Sequence, residues 1–407
     1  DGEICIPVLD WRYYYLDNNV NPMFGVHTLV SMIDMKESHR VNNSANWSRR
    51  SFLTPRGLGM SSGGIFGAIL DDDKPIQADN HGSFGYWCIA RRAMGCEFNV
   101  FVPPRISNAT VGGEAALDCI EQLEELMTVY SNSSEMSYVN QHAAQGPVHT
   151  DDRLYQLLKR SAELSEQTDG AFDVSAGALV RAWGFVGGPK RVPTDTECLA
   201  ALARSGMHHV EFDDEQRTVK YRIEGLEINL GSIGKGYAID QAIKRMRQDF
   251  AIDCALIQGG LSSMFGLGSP PGDPRGWLVA IRNPSNGKQH IATVRLRDRA
   301  LGTSGTDNQY FHSDGKRYGH LLDPRTGKPA DELAGVSVLA HDAATADALA
   351  TALFVMGLDK AADFCQNHPK IAALLVLKPA SAEQTSDLPR ILSFNLPSED
   401  VNLSPGN

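Results

Sequence analysis

From about Tyr86 onward, short apolar runs alternate with longer segments that have helical periodicity, and this pattern most constrains the fold. The segment 87–102 is typical of two strands around a turn, and apolar residues recur every three or four positions in the segment 112–130. Further strands are predicted at 226–231, 254–260, 276–284, 291–298 and 371–377, and further helices at 151–168, 236–250 and 343–357. This mixture of hairpins and crossover helices predicts an α+β, or mixed α/β, fold with one long unit from 86 to 397.

The two ends of the chain differ from this central unit. Residues 1–85 are rich in Asn, Ser, Gly and Asp and lack periodicity, so we expect an N-terminal extension that is poorly ordered or peripheral. Within it, "SRRSFLT" at Ser48–Thr54 resembles a twin-arginine export motif, although no A-x-A cleavage site follows. Export and a cytoplasmic location both stay open, with the motif favouring an exported or periplasmic protein. Residues 398–407 are expected to form a tail.

Composition excludes several classes of function. The formal net charge is −11 and no run of Lys and Arg occurs, which argues against a nucleic-acid partner. The seven cysteines are widely spaced without a C-x-x-C pair, which argues against a disulfide framework and a zinc site. No stretch approaches the roughly 20 apolar residues that a membrane-spanning helix needs. A phosphate-bearing substrate would therefore require a specific cation or a bound metal ion.

A glycine-rich turn, "NLGSIGKGYAID" at 229–240, lies between a predicted strand and a predicted helix. It is not a Walker A loop, because only two residues separate Gly231 from Gly234 and glycine follows Lys235. The "GLGSPPG" stretch at 266–272 cannot open a dinucleotide-binding helix, because two prolines interrupt it. Near the start of a helix, Lys235 and free N–H groups favour an anion. The alternative is an ordinary strand-to-helix turn with a surface lysine.

A metal site is suggested by "HDAATADALATALF" at 341–354. Asp347 and Thr351 are four residues apart on a predicted helix, so their side chains lie on one face. A carboxylate, a hydroxyl and nearby backbone carbonyls form a hard oxygen set that suits Mg²⁺. The alternative is that Asp347 is a helix residue favoured by the dipole and that Thr351 only packs.

Two other segments combine polar and turn-forming residues. Phe172 and Asp173, next to Gly170, suggest a loop that could stack on a ring and hydrogen-bond to it; the alternative is a structured turn. In "HLLDPRTG" at 320–327, Pro, Asp, Thr and Gly are the residues that a turn requires, and His320 precedes that turn.

Seven segments follow one another in the chain between roughly Arg91 and Gly357: "RRAMGCEF", "MTVYSNSSEMSYVN", "TDGAFDVSAGALVRAWGF", "INLGSIGKGYAID", "LIQGG", "GKRYGHLLDPRTGKP" and "AATADALATALFVMG". In this order they resemble the family of FAD:protein FMN transferases, also called ApbE-like proteins. Each segment is weakly informative alone, but seven in register form a specific match.

The resemblance implies an ApbE-like fold with two closely packed α/β subdomains and an FAD and Mg²⁺ site in the cleft between them. It implies an enzyme that cleaves FAD, releases AMP and attaches FMN through a phosphoester to a Thr or Ser of an acceptor protein. The acceptor would be a redox-pump or flavin-reductase type of subunit. It would be a separate protein, because no stretch here matches the acceptor motif Asp-Gly-x-Thr-Gly-Ala-Thr.

The resemblance also assigns roles to individual residues. His320 is the implied base that deprotonates the acceptor hydroxyl, a task suited to histidine near neutral pH. The implied FAD contacts are Met94, Tyr130, Ala171, Phe172, Asp173, Lys235, His320 and Leu321, and the implied Mg²⁺ ligands are Asp347, Thr351 and the backbone carbonyl of Ser232.

The chain departs from the family pattern at several positions. Cys96 stands where Thr or Ser is common, Ser232 and Gly234 stand where Ala is usual, and the segment 301–311 differs from the usual Ser-Gly-Asp-Tyr pattern. Two other activities stay open: an FAD pyrophosphatase that yields FMN and AMP, and an FAD-binding protein without turnover. The presence of His320, Asp347 and Thr351 together favours an active enzyme.

Overall fold

The computed structural model describes residues 29–32, 86–306, 309–378 and 389–404. Its strands are β1 (Leu29–Met32), β2 (Trp87–Ala93), β3 (Cys96–Val102), β4 (Val148–His149), β5 (Val210–Asp213), β6 (Thr218–Tyr221), β7 (Ala255–Gly259), β8 (Ser263–Leu267), β9 (Trp277–Asn283), β10 (Asn286–Leu296), β11 (Arg299–Gly305), β12 (Tyr310–Ser313), β13 (Lys316–Gly319), β14 (Leu333–Ala340), β15 (Ala372–Leu377), β16 (Ile391–Phe394) and β17 (Val401–Leu403). Its α-helices are α1 (Ala109–Met127), α2 (Glu135–His142), α3 (Asp152–Gln167), α4 (Gly177–Ala182), α5 (Asp195–Leu202), α6 (Gly234–Phe250) and α7 (Ala343–Asn367). The predicted mixture of helices and sheets is confirmed.

A nine-stranded antiparallel sheet with the order β1-β2-β3-β7-β8-β11-β14-β15-β16 forms the centre of the fold. Alternate residues of its strands face opposite sides, as the pleat requires. On one face, Ile257 belongs to a core shared with α1, α6 and α7. On the other face, Leu256 belongs to a core shared with Trp277 and Val294 of the small sheet β17-β10-β9. The central sheet is therefore covered by helices on one side and by a second sheet on the other.

Most helices occur where the periodicity predicts them. Asp151 caps α3, since its carboxylate accepts the Arg153 N–H at 2.8 Å. Helix α7 extends ten residues beyond the predicted end at Gly357, which lies at a kink with φ of 77°. There the Glu332 carboxylate accepts the Leu358 N–H at 3.1 Å and so restarts the helix.

The strand predicted at 226–231 is wrong. Its residues are extended, but they pair with a loop instead of with a sheet: Glu227 bridges to Ala176, and the Asn229 N–H donates to the Val174 carbonyl at 2.7 Å. Side-chain alternation reports only the extended backbone and does not show whether the hydrogen-bonding partner is a strand.

The ends of the chain are described in part. Residues 29–32, within the predicted N-terminal extension, pair with β2, and the export-like motif lies outside the described residues. Val401–Leu403, within the predicted tail, form β17 and pair with β10. In the part of the chain that the structure describes, no helix has the length and apolar character needed to cross a membrane.

Candidate active site

The first turns of α6 and α7 lie in direct contact. A Cβ added at Gly236 would lie 2.1 Å from the Ala343 carbonyl oxygen, so only glycine permits this approach. The Asp240 carboxylate, one turn further along α6, accepts the N–H groups of Ala343 and Ala344 at 2.7 and 2.9 Å. This contact fixes the glycine-rich turn against the helix that carries Asp347.

Asp347 is the buried anion of this region, with 7% of its surface exposed. Its Oδ2 accepts the Gly236 N–H and the Ser263 hydroxyl, both at 2.8 Å, and both bonds leave Oδ1 for a ligand. Burial raises the pKa of Asp347 to about 6, although neighbouring Lys235 and the two hydrogen bonds act in the opposite direction. A carboxylate held in this way is oriented before any cation arrives.

The other two predicted metal ligands are Thr351, one turn further along α7, and Ser232, which precedes α6. The Thr351 hydroxyl is 3.4 Å from the Asp347 carbonyl and 3.2 Å from the Ser304 hydroxyl of β11. Ser232 lies in the turn just before α6. The Gly236 N–H, which a longer helix would direct to the Ser232 carbonyl, donates to Asp347 instead.

This donor set is one carboxylate, hydroxyls and a backbone carbonyl. Among the described residues, no group of three or more His, Cys, Asp or Glu side chains could hold a metal ion. An oxygen set with a single carboxylate fits Mg²⁺, which keeps water and takes further oxygens from phosphates.

The glycines of α6 allow a matched pair of substitutions. We expect Gly236→Ala to lower the free energy of unfolding by at least about 2 kcal/mol, because the added methyl group forces α6 and α7 apart. Gly234→Ala, two residues earlier, should be tolerated because its Cβ would meet only side-chain atoms at 3.7 Å or more. Urea denaturation of both variants measures the difference. Equal stabilities would contradict the tight helix contact.

The β2–β3 hairpin turn borders the same region. Met94 and Gly95 have φ of 51° and 74°, and the Met94 N–H donates to Glu124 of α1 at 2.7 Å. Burial raises the pKa of the neighbouring Cys96 thiol to about 11, while the nearby Lys235 ammonium acts to lower it. Cys96 is thus a neutral thiol within the electrostatic range of Lys235.

His320 follows the β12–β13 hairpin and is held by one carbonyl. Its backbone N–H and its Nδ1 each lie 3.1 Å from the Gln309 oxygen. A carbonyl only accepts hydrogen bonds, so Nδ1 carries the proton and Nε2 has the free lone pair. The ring is edge-on to Phe185, with centroids 6.3 Å apart.

The ionisation of His320 favours a neutral ring. Burial lowers the pKa of His320 to about 4, and the charges of Lys235 and Lys190 also act to lower it. The hydrogen bond to the Gln309 carbonyl acts to raise this pKa. The group is therefore unprotonated at neutral pH and can accept a proton at Nε2.

This pKa gives a direct prediction. We expect the His320 imidazole to stay neutral from pH 8 down to pH 5 and to titrate near pH 4, because the folded state disfavours the cation. Two-dimensional NMR of the histidine ring protons, assigned with a His320→Gln variant, measures the midpoint. A midpoint near 6.5 would show that the ring is not desolvated.

The turn after His320 is confirmed. The Gly327 N–H donates to the Asp323 carbonyl at 2.8 Å, and Gly327 has φ of 74°. The Asp323 carboxylate accepts the backbone N–H and guanidinium of Arg325. Trp183 donates its indole N–H to the Gly327 carbonyl at 2.9 Å. The turn is a scaffold for the strand end that carries His320.

The side chains of the segment 171–173 contact the protein itself. Ala171 and Phe172 are each 1% exposed, so Phe172 belongs to the core and the predicted stacking on a ring is wrong for this side chain. The Asp173 carboxylate accepts the Ser175 N–H at 2.8 Å and the Met207 N–H at 3.0 Å, which ties two loops together. A ligand could meet Ala171 and Phe172 only through their backbone.

The remaining predicted contacts border open surface. Tyr130 is 78% exposed and lies within electrostatic range of Arg181. Arg181 and Glu227 help to line a polar cleft of about 280 Å³ next to this tyrosine. Leu321 is partly buried, and its carbonyl accepts the Ala330 N–H at 2.9 Å. The Lys235 ammonium lies within electrostatic range of Asp347, Cys96 and His320.

Several residues of this site were not predicted from the sequence. They are Ser263, which holds Asp347; Gln309, which holds His320; Glu124, which holds Met94; and Ser304, next to Thr351. None stands at a fixed spacing from its partner. Only Ser304 and Gln309 lie in a stretch that the sequence marks as unusual, the divergent segment 301–311.

Comparison with known proteins shows the family to which the chain belongs. The model of the ApbE family matches residues 94–375. An FAD:protein FMN transferase of Treponema pallidum is 31% identical over 69% of this chain and 81% of its own length. An FAD:protein FMN transferase of Vibrio cholerae is 33% identical over 70% of this chain and 85% of its own length. The crystal structure of the ApbE protein from Thermotoga maritima is 34% identical, covers 72% of this chain and 94% of that chain, and has a TM-score of 0.67. This chain therefore belongs to the ApbE family.

Proposed function

We propose that this protein is a Mg²⁺-dependent transferase that cleaves FAD and attaches FMN to a Thr or Ser of an acceptor protein, releasing AMP. The single observation that carries the proposal is that the buried Asp347 carboxylate accepts the N–H of Gly236, the residue after Lys235, at 2.8 Å at the start of α6. The charge of the same lysine acts on His320, so a carboxylate that could hold a cation and a neutral base both lie near one helix N-terminus. Family membership and the names of the relatives agree with a transferase.

Asp347, Thr351 and the Ser232 carbonyl would hold the metal ion. Bound Mg²⁺ supplies charge neutralisation for a pyrophosphate. Lys235 and the N–H groups at the start of α6 add positive potential beside it. This arrangement compensates locally for the net charge of −11. Met94, Tyr130, the backbone of Ala171–Asp173, and Leu321 would line the flavin and adenosine parts of FAD.

His320 would act on the acceptor. Its Nε2 takes the proton of the hydroxyl as the oxygen forms a bond to the FMN phosphorus, and the bond from that phosphorus to the bridging oxygen breaks. AMP leaves with the bridging oxygen, and the proton on Nε2 passes to solvent. The Gln309 carbonyl keeps Nδ1 protonated throughout, so the ring has one defined tautomer.

One incubation tests the proposal. The chain is mixed with FAD, Mg²⁺ and an acceptor domain bearing Asp-Gly-x-Thr-Gly-Ala-Thr, and the products are read by mass spectrometry and chromatography. Covalent FMN on the acceptor Thr together with AMP is the expected result. AMP and free FMN without labelling would instead show a pyrophosphatase, and intact bound FAD would show a binding protein.

A further inference from the structure

The hairpin of β12 and β13 presents one face to the core and the other to solvent. Phe311 and Tyr318 are opposed in register, stack with centroids 5.4 Å apart and pack toward Trp183. The neighbouring cross-strand pairs, Tyr310 with Gly319 and His312 with Arg317, have their side chains on the opposite face. Tyr310 and Arg317 therefore share the outer face. The Arg317 guanidinium lies 3.9 Å over the Tyr310 ring, which is 42% exposed.

Cations predominate on and beside this hairpin. Residues 310–319 contain Lys316 and Arg317 against the single carboxylate of Asp314. Lys190 joins them, since its Nζ is 3.5 Å from the Tyr310 carbonyl and 5.8 Å from the centre of the Phe185 ring. We call Lys190 and Lys316 the cationic rim. Both are exposed, and Lys316 shares the face of Tyr318, with its Nζ 5.4 Å from the centre of that ring, whereas Arg317 lies on the outer face. The positive charge of the rim contrasts with the net charge of −11 for the chain.

The cationic rim and His320 form one structural unit. Tyr310 pairs with Gly319, and the next residues outward, Gln309 and His320, are joined by the two bonds to the Gln309 carbonyl. Lys190 is close enough to His320 to act on its charge state. Lys316 lies four residues along the strand, or about 13 Å from His320. A segment that lies along this edge of the hairpin would thus pass beside His320.

We propose that the cationic rim docks an acidic, extended segment of the acceptor protein and so brings its hydroxyl to Nε2 of His320. This inference rests on the proposed function and names the chemistry of the partner. Opposite charges at the edge of an interface speed association and fix its register, whereas they contribute little to the chemical step. The rim should therefore act on the acceptor and leave the use of FAD unchanged.

The test compares charge reversal at the cationic rim with charge reversal elsewhere. The variants are Lys190→Glu with Lys316→Glu, and the control is Lys370→Glu, an exposed lysine beyond the far end of α7 from Asp347. The probe is an acceptor domain whose Thr motif has three Glu residues on one side, and a second version has three Lys residues there. Transfer is measured against acceptor concentration at saturating FAD.

With the acidic probe, we expect the double variant to raise the acceptor KM by about tenfold and to lose most of the salt dependence seen in the wild type. The KM for FAD should stay within about twofold, as should all values for Lys370→Glu. The double variant should also prefer the Lys-flanked probe, which reverses the preference of the wild type.

Several outcomes would overturn the inference. An equal acceptor KM for wild type and double variant, or no preference between the probes, would show that the rim does not dock the acceptor. A raised KM for FAD would assign the rim to the nucleotide instead. Thermal unfolding of each variant confirms that it is folded. If the wild type labels neither probe, the proposed function fails, which is a different result from equal labelling of both.

Discussion

Asp347→Asn should reduce transfer by more than about 100-fold and abolish its dependence on Mg²⁺, because loss of an outer partner of a metal ligand alone costs 10–100-fold. The amide keeps the shape of the carboxylate and still accepts from Gly236 or Ser263. It lacks the negative charge that a cation needs. Magnesium titrations of the transfer rate and of FAD binding measure both effects.

The same substitution should stabilise the metal-free fold. Burial raises the pKa of Asp347 from 3.8 to about 6, so at pH 7 the ionised carboxylate opposes folding by up to roughly 3 kcal/mol. The neutral amide avoids this cost. The wild type should approach the variant in stability as the pH falls from about 6 to below about 4, because its carboxyl group becomes protonated first in the folded state and then also in the unfolded state.

Asp342→Asn is the matched control for both effects. Asp342 caps α7 through the Thr345 N–H at 2.8 Å, and asparagine caps helices about as well as aspartate. Transfer should therefore persist in this variant and unfolding should change little. Equal loss of transfer in the two variants, or a metal-free Asp347→Asn protein less stable than the wild type, would contradict the role given to Asp347.

Local physics allowed much of the candidate site to be predicted from the sequence. The glycine turn, the helix that follows it, the shared face of Asp347 and Thr351, and the turn after His320 each depend on residues within a few positions of one another. In such segments the residue types nearly decide the backbone, and the structure confirms each of these elements.

The supporting contacts could not be predicted because they join distant parts of the chain. Gly236 meets Asp347 across 111 positions, and Ser263 meets it across 84. The burial of Phe172 and the loop pairing of 226–231 also depend on partners that no local pattern encodes. Family resemblance supplies residue identities, but the orientation of the His320 ring follows only from the Gln309 carbonyl.

His320→Ala should lower transfer by about 10² to 10⁴-fold, the usual contribution of a positioned base. The affinity for FAD should change far less, since Asp347, Lys235 and the lining residues remain. The variant should fold, because the bond from the residue-320 backbone N–H to Gln309 does not need the imidazole. Labelling reactions quenched at fixed times measure the rate of transfer, and a fluorescence titration measures the affinity for FAD.

Two further measurements distinguish a base from a binding residue. Added imidazole should partly restore labelling in His320→Ala, with a rate that rises as the free base fraction of the added imidazole rises. His341→Ala, at an exposed histidine beyond β14, should match the wild type. If His320→Ala labels at the wild-type rate, His320 is not the base. If the affinity for FAD falls as much as the rate of transfer does, the role of His320 is in binding. The neutral ring held by Gln309 would then contact the flavin and would not accept the proton.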